Sequence, residues 1–178
     1  TDKDSHYALP VISHDLRRLD SIELFPFKNM IKSGVGSIMV AHLNIPALES
    51  DPRLPSTLSH TIITRLLRQK MHYDGLIFTD AMEMKAVADS FPPGIADVRA
   101  LLAGNDMVLL PVNPDSALTA IGKALADGTY SRQQFERSVR RILRAKYRLG
   151  LTTPQHIDLT DIKGDINTPD AYQLKRDL

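Results

Sequence analysis

Three short stretches of the chain are almost unbroken apolar runs: Ser37-Ile38-Met39-Val40-Ala41, Gly75-Leu76-Ile77-Phe78-Thr79 and Met107-Val108-Leu109-Leu110. None alternates apolar with polar positions. A strand with one wet face alternates, so these runs predict strands buried on both faces of a parallel sheet. Between them the period changes. Leu58, Ile62, Ile63, Leu66, Leu67 and Met71 share one helical face after the turn-like Pro55-Ser56. Lys85 to Ala103 reads as helix interrupted at Pro92-Pro93-Gly94, with Gly104 as its stop. Ala117 to Ala126 is a further helix, closed by Asp127-Gly128, and Leu16 to Lys32 is partly helical, broken at Pro26 and ending at Gly34. Ser131 and Gln134 form a capping-box pair opening a long helix with Phe135, Val139, Ile142, Leu143 and Tyr147 on one face.

Strand and helix thus alternate at intervals of about 30–40 residues, the signature of consecutive βα units in an α/β fold. The segment from Thr152 to Leu178 is polar and holds Pro154, Gly164 and Pro169. It reads as a linker in which Thr168-Pro169 starts a last helix.

In parallel α/β folds functional groups gather at the carboxyl ends of the strands. The first apolar run ends at His42, the second at Asp80 and the third at Pro111-Val112-Asn113. A carboxylate held where a buried strand surfaces suits a nucleophile, and Asp at that point equally suits the N-cap of a following Met82–Ala88 helix. Glu83, one turn on, reads as a capping or solvated residue. His42 is either a hydrogen-bonded structural residue or part of the same mouth. Asp4 and His6 stand two apart in a stretch without apolar periodicity, where the carboxylate can orient the ring; the same spacing also occurs in plain surface loops.

Composition narrows the classes. The 178 residues can bury one core, and 43% apolar with 24% charged is an ordinary globular balance. A net charge of +1 provides no field that would draw the chain to nucleic acid or membrane. The arginines crowding residues 132–148 read as a solvated face, because Phe135 and Tyr147 do not interleave with them as a stacking surface requires. With no cysteine, disulfides, thiolate nucleophiles and Cys-bound zinc are excluded. That composition fits a reducing cytoplasm and also an exported protein. No apolar run approaches the ~20 residues of a membrane span.

Several runs resemble one family. Gly75 through Thr79 and Asp80 to Ala86 resemble the nucleophile motif of bacterial family 3 glycoside hydrolases, and Ala103 to Pro111 the strand that follows it. Ser138-Val139-Arg140-Arg141-Ile142-Leu143 with Lys146 and Leu149-Gly150-Leu151 resembles its closing helix. Glu23-Leu24-Phe25-Pro26-Phe27, Ile38-Met39-Val40-Ala41-His42 and Pro55-Ser56-Thr57-Leu58-Ser59 match as well. The resemblance runs from Thr1 to Leu151. It implies the last three βα units of a (β/α)8 TIM barrel over residues 1–151, with residues 152–178 as a linker toward a further domain.

By the same resemblance Asp80 is the nucleophile of a retaining glycosidase working through a covalent glycosyl-enzyme. The β-N-acetylglucosaminidase branch reads G-D-T-x-x-D-S-H, and the chain opens Thr1-Asp2-Lys3-Asp4-Ser5-His6. This implies His6 as general acid and base, Asp4 as its orienting partner and His42 as a substrate-binding residue. The implied partner is a carbohydrate with terminal β-linked N-acetylglucosamine, such as a cell-wall muropeptide, and no metal or cofactor is implied. The implied source is bacterial, with cytoplasm and periplasm both open. The family's K-H-F-P-G-H-G stretch would precede Thr1, and three strands cannot close an eight-stranded barrel. The expectation is a fragment that self-associates, swaps or pairs with the missing barrel half, or a truncated form with little activity alone. The rival readings are a non-catalytic α/β binding module, a β-glucosidase of the same family, and a barrel hydrolase using His42 as a base, with or without a metal.

Overall fold

The computed structural model describes Asp4, residues 6–153 and residues 158–178. Thr1, Asp2, Lys3 and Ser5 of the opening motif, and Pro154 of the polar segment, lie outside the described residues. The chain divides into two compact units, Thr1–Ala145 and Lys146–Leu178.

In the first unit the three apolar runs form β1 (Ser37–Val40), β2 (Leu76–Ala81) and β3 (Met107–Leu109). They make one parallel sheet in the order β1-β2-β3. Ile38 and Val40 pair in register with Ile77 and Thr79, and all four are buried. They pack with Ile62, Ile63 and Leu67 from the helix Thr61–Lys70, together with Tyr73 and Ala103. Burying an isoleucine as Ile63 and Ile77 are buried contributes about 1.5–3 kcal/mol each.

The opposite face overturns one expectation. Met39, Phe78 and Met107 form a row across the sheet, and Met39 and Met107 are exposed, as is Leu109. The sheet is covered on one face within this chain. An apolar run reads the same whether its second face is covered or not, so this was invisible in the residue pattern.

The helices follow the residue pattern with local differences. The break near Pro26 falls slightly earlier. A five-residue π-type turn (Leu19–Glu23) gives way at Leu24 to the helix Phe25–Lys32. Pro26 lies in its first turn, where a missing N–H costs no helical bond. Thr61–Lys70 is also wound with π spacing, Met71 N donating to Leu66 O. Ile95–Ala103 ends at Gly104, whose φ of 115° only glycine adopts without strain; a Cβ there would lie 2.5 Å from Thr64 Oγ1. Pro114–Ala126 is capped by Asn113, which accepts from Ser116 N.

Arg132–Arg148 starts with half of the expected capping box. Ser131 Oγ accepts from Gln134 N (3.2 Å), but the Gln134 amide donates to Leu101 O (3.0 Å) instead of reaching back. The apolar stripe of this helix is also less covered than its pattern implied, since Phe135, Leu143 and Tyr147 are exposed. In the second unit two helices occur, Ile162–Ile166 and Pro169–Asp177, the latter capped by Thr168 as its Thr-Pro pair predicts.

Beneath the strands lies a buried ionic knot. Asp106, one residue before β3, has a side chain with no exposure. Arg68 Nη2 donates to its Oδ2 (2.5 Å), as does Ile77 N (3.0 Å). Ser138 Oγ (2.9 Å) and Arg141 Nη1 (3.3 Å) donate to its Oδ1. Arg141 also binds Asp74, through Nε at 3.1 Å and Nη2 at 2.8 Å. Arg141, on the helix face that the residue pattern reads as solvated, instead closes onto the base of the sheet.

Removing Asp106 strands Arg68 without its buried counter-charge, while Arg141 keeps Asp74. Asp106→Ala is therefore expected to lose about 3–5 kcal/mol of unfolding free energy in a urea titration. A loss below about 1 kcal/mol would show that the knot is not holding the sheet to its helices.

Candidate active site

The carboxyl ends of the strands lie at the opposite end of the sheet from Asp106. Asp80 is the penultimate residue of the central strand, and its half-buried side chain falls on the same side as Phe78, toward the open face. The pairing of β2 with β3 slips around it: Phe78 pairs with Met107 and Ala81 with Leu109, so β2 carries one extra residue in between. This is a β-bulge, a feature that re-aims side chains and recurs next to active sites. Thr79 stabilises it, its Oγ1 accepting from Leu109 N (2.9 Å) in place of a backbone bond. Asp80 Oδ1 accepts from Ala81 N (2.8 Å).

The N-cap alternative for Asp80 does not hold. The next helix is Lys85–Ala88, which starts three residues later than the Met82–Ala88 segment read from the sequence, and its cap position is Met84, four residues beyond Asp80. Glu83 is exposed. Asp80 is thus a strand-end carboxylate not committed to a helix terminus. Leu110, immediately after β3, has φ of 45°, a left-handed conformation that a bulky side chain rarely adopts and that marks strain at functional rims.

His42 follows β1 and is wholly buried. Its Nε2 lies 3.0 Å from Ala81 O and its Nδ1 2.7 Å from Thr57 Oγ1. A carbonyl only accepts, so Nε2 carries the proton; in the neutral ring Nδ1 then accepts the Thr57 hydroxyl proton, which Ala41 O (3.0 Å) and Val40 O (3.3 Å) also face at longer range. Burial pushes the ring's pKa below its ordinary value, against the opposing pull of the Ala81 carbonyl and the Asp80 charge. Asp80 and His42 are therefore neighbours at one mouth. Both ring nitrogens of His42 are engaged, which bears on the substrate contact expected of it.

Asp4 and His6 are paired with each other. Asp4 Oδ1 accepts from His6 Nδ1 (2.7 Å) and His6 N (3.0 Å), and both side chains are exposed. The backbone and side-chain bonds from His6 hold the Asp4 carboxyl below its usual range. Among the described residues no hydrogen bond or ion pair joins this pair to Asp80 or His42. No group of three or more His, Cys, Asp or Glu positioned to hold a metal ion occurs among the described residues. Nor is any described helix long and apolar enough to cross a membrane.

Residues 1–145 match the model of the glycosyl hydrolase family 3 N-terminal domain. The chain belongs to this family. A "Beta-hexosaminidase A" from Pseudoalteromonas piscicida is 32% identical over 168 residues, covering 84% of this chain and 28% of that protein. A "Beta-hexosaminidase" from Chromobacterium violaceum is 34% identical over 114 residues, covering 64% of this chain and 31% of that one. The solved family 3 β-N-acetylglucosaminidase from Paenibacillus sp. str. FPU-7 superposes with a TM-score of 0.88 at 37% identity, covering 97% of this chain and 33% of that one. The chain spans about a third or less of the length of these relatives.

What the residue pattern did not reveal at this family 3 site is the bulge and the hold on the Ala81 carbonyl. Thr57 is the residue missed. Its motif, Pro55-Ser56-Thr57-Leu58-Ser59, was a signal, but nothing in it indicated a partner 15 residues back.

The depressed pKa of His42 has a consequence for stability. A group whose folded pKa lies below its ordinary value of 6.5 contributes fully above that pH and loses its contribution as pH falls toward the folded value. Relative to His42→Gln, which does not titrate, the wild type should therefore lose unfolding free energy between about pH 7 and pH 5. Denaturant titrations at both pH values check this; an identical offset at both would mean that the ring is not held neutral.

Proposed function

We propose that this chain carries the nucleophile part of a retaining exo-glycosidase that removes terminal β-linked N-acetylglucosamine, with cell-wall muropeptides as the substrate class. The observation that carries the reading is Asp80: a carboxylate on the open face of the central strand, turned by a bulge and not spent on a helix cap. The names of the relatives, β-hexosaminidase and β-N-acetylglucosaminidase, agree with that chemistry.

In the proposed mechanism an Asp80 oxygen attacks the anomeric carbon while the bond to the leaving-group oxygen breaks. His6, protonated on both nitrogens and oriented through Nδ1 by Asp4, gives its Nε2 proton to that oxygen. Water then adds to the anomeric carbon, His6 takes its proton at Nε2, and Asp80 leaves, so the configuration is retained. His42 contributes to the same mouth from beneath. The reaction is assigned no metal or cofactor.

The three βα units are read as the last three of a (β/α)8 barrel, the open face with Met39, Phe78 and Met107 being the one turned inward. On this reading residues 1–151 belong to the barrel and 152–178 lead toward a further domain. The remaining barrel strands, or a second copy, would complete the sheet.

In the full-length protein a 5-fluoro-N-acetylglucosaminyl fluoride should label Asp80, located by peptide mass. Asp80→Asn is expected to lower kcat by roughly 10⁴-fold or more. Rates near wild type would remove Asp80 from the mechanism.

His6→Ala should slow substrates with poor leaving groups by roughly 10²–10⁴-fold and dinitrophenyl glycosides far less in the glycosylation step. Equal losses would show that His6 is not the acid.

A further inference from the structure

Among the described residues the only hydrogen bond to the Asp80 carboxylate comes from the amide of the next residue, Ala81. The direction of the carboxylate is therefore set by the Asp80–Ala81–Met82 backbone, and that backbone is held from both neighbouring strands. On the β3 side, Met82 N donates to Leu109 O (2.9 Å). On the β1 side, Ala81 O accepts from His42 Nε2 (3.0 Å), and from Met84 N (3.1 Å) as the chain turns.

His42 is itself fixed. Its ring is fully buried and its Nδ1 meets the Thr57 hydroxyl at 2.7 Å. Thr57 is also fully buried, and its turn is locked onto the end of β1. Ser56 Oγ donates to Ala41 O (2.5 Å), Ser56 N donates to Leu43 O (2.7 Å), and Asn105 Nδ2 donates to Thr57 O (2.9 Å). The Pro-Ser-Thr turn thus serves as an anchor at one end of a chain of bonds whose other end is a carboxylate oxygen.

We propose that Thr57 and His42 are positioning residues for the Asp80 carboxylate, acting through the sequence Thr57 hydroxyl to His42 Nδ1, His42 Nε2–H to Ala81 O, and Ala81 N–H to Asp80 Oδ1. This rests on Asp80 being the nucleophile. A nucleophile must be held about 3–3.5 Å from the reacting carbon, and a misplacement of about 1 Å costs on the order of 10²-fold. The Asp80 segment is a bulge with interrupted ladder pairing, so fewer strand bonds fix it and the side-chain bond from His42 adds to the backbone bond from Met82 N. The tautomer matters: with Nε2 protonated the ring can hold a carbonyl, and Nδ1, at 2.7 Å the nearest acceptor, takes the single Thr57 hydroxyl proton, for which Ala41 O (3.0 Å) and Val40 O (3.3 Å) are the competing acceptors.

The test uses the full-length protein and an aryl β-N-acetylglucosaminide, with the 5-fluoro probe as active-site titrant. Four variants are compared: Thr57→Val, Thr57→Ser, His42→Leu and His42→Gln. Thr57→Val and His42→Leu should still label every site at saturation, with kcat and the labelling rate per site down about 10–100-fold and KM within about twofold. Thr57→Ser, which keeps the hydroxyl, and His42→Gln, which keeps an N–H for the carbonyl, should recover most of the rate. Thr57→Val decides the case where His42→Leu does not fold.

Unchanged labelling rates in Thr57→Val would overturn the proposal. So would a rise in KM at constant kcat, which would make His42 a substrate contact, or fewer labelled sites each reacting at the normal rate, which would make both residues parts of the fold alone. Wild-type label at a residue other than Asp80 would instead remove the nucleophile reading on which the proposal stands. Label at Asp80 with unaffected variants removes only the brace.

Discussion

The buried carboxylate of Asp106 is the point on which the arrangement depends. It receives a backbone amide from β2, a guanidinium from the Thr61–Lys70 helix, and both a hydroxyl and a guanidinium from the Arg132–Arg148 helix. Because it immediately precedes β3, one side chain ties two strands and two helices together below the sheet. A buried ion pair of this kind gives little net stability over an apolar substitute, since desolvation offsets most of the attraction. What it supplies is a single allowed arrangement: a slip of β3 against the two helices would leave charges buried without partners, and a slip of β2 would cost the carboxylate its Ile77 amide. Asp80 stands three residues beyond Ile77 on the strand that Asp106 holds, so its placement inherits that register.

The division of labour along the strands follows. Charge pairing and close packing occupy the amino ends, while the carboxyl ends carry a bulge, a left-handed leucine and a carboxylate not used in capping. In parallel α/β proteins the first end is where stability resides and the second is where chemistry does. The bulge lies at the carboxyl end of β2. It breaks the ladder locally, and β2 accepts it because Thr79 supplies the missing acceptor and Ile77 is already fixed below.

Much of this was legible in the residues. Three apolar runs became three parallel strands within one or two positions, Gly104 stopped its helix, and Asp80 emerged at a strand end. The parts that were not legible share a cause. Continuous apolar runs do not say whether the second face is covered, so the exposure of Met39, Met107 and Leu109 was unforeseen. Arg141 looked like the other arginines of a charged helix, because its partner Asp106 is 35 residues away and no local pattern connects them. A bulge has no residue signature here, and the role of Thr57 depends on a fold contact spanning 15 residues. Pairings over such distances are products of topology, and periodicity carries no record of them.

The two groups assigned to the reaction occupy contrasting settings, and the chemistry gives a reason. The nucleophile meets one atom along one trajectory, so it gains from a rigid strand end braced from both sides. The acid and base must first give a proton to a leaving group and later take one from water arriving at the same place. A residue in that role gains from a partner that fixes its tautomer without burying it. Asp4 does this for His6: the pair is exposed, bonded within its own turn, and the carboxyl's pKa is lowered first by the His6 amide and then by the ring it orients. His42 shows the opposite treatment of the same side chain. Buried and engaged at both nitrogens, it has its pKa pushed below the ordinary value by burial, which suits a brace better than an acid.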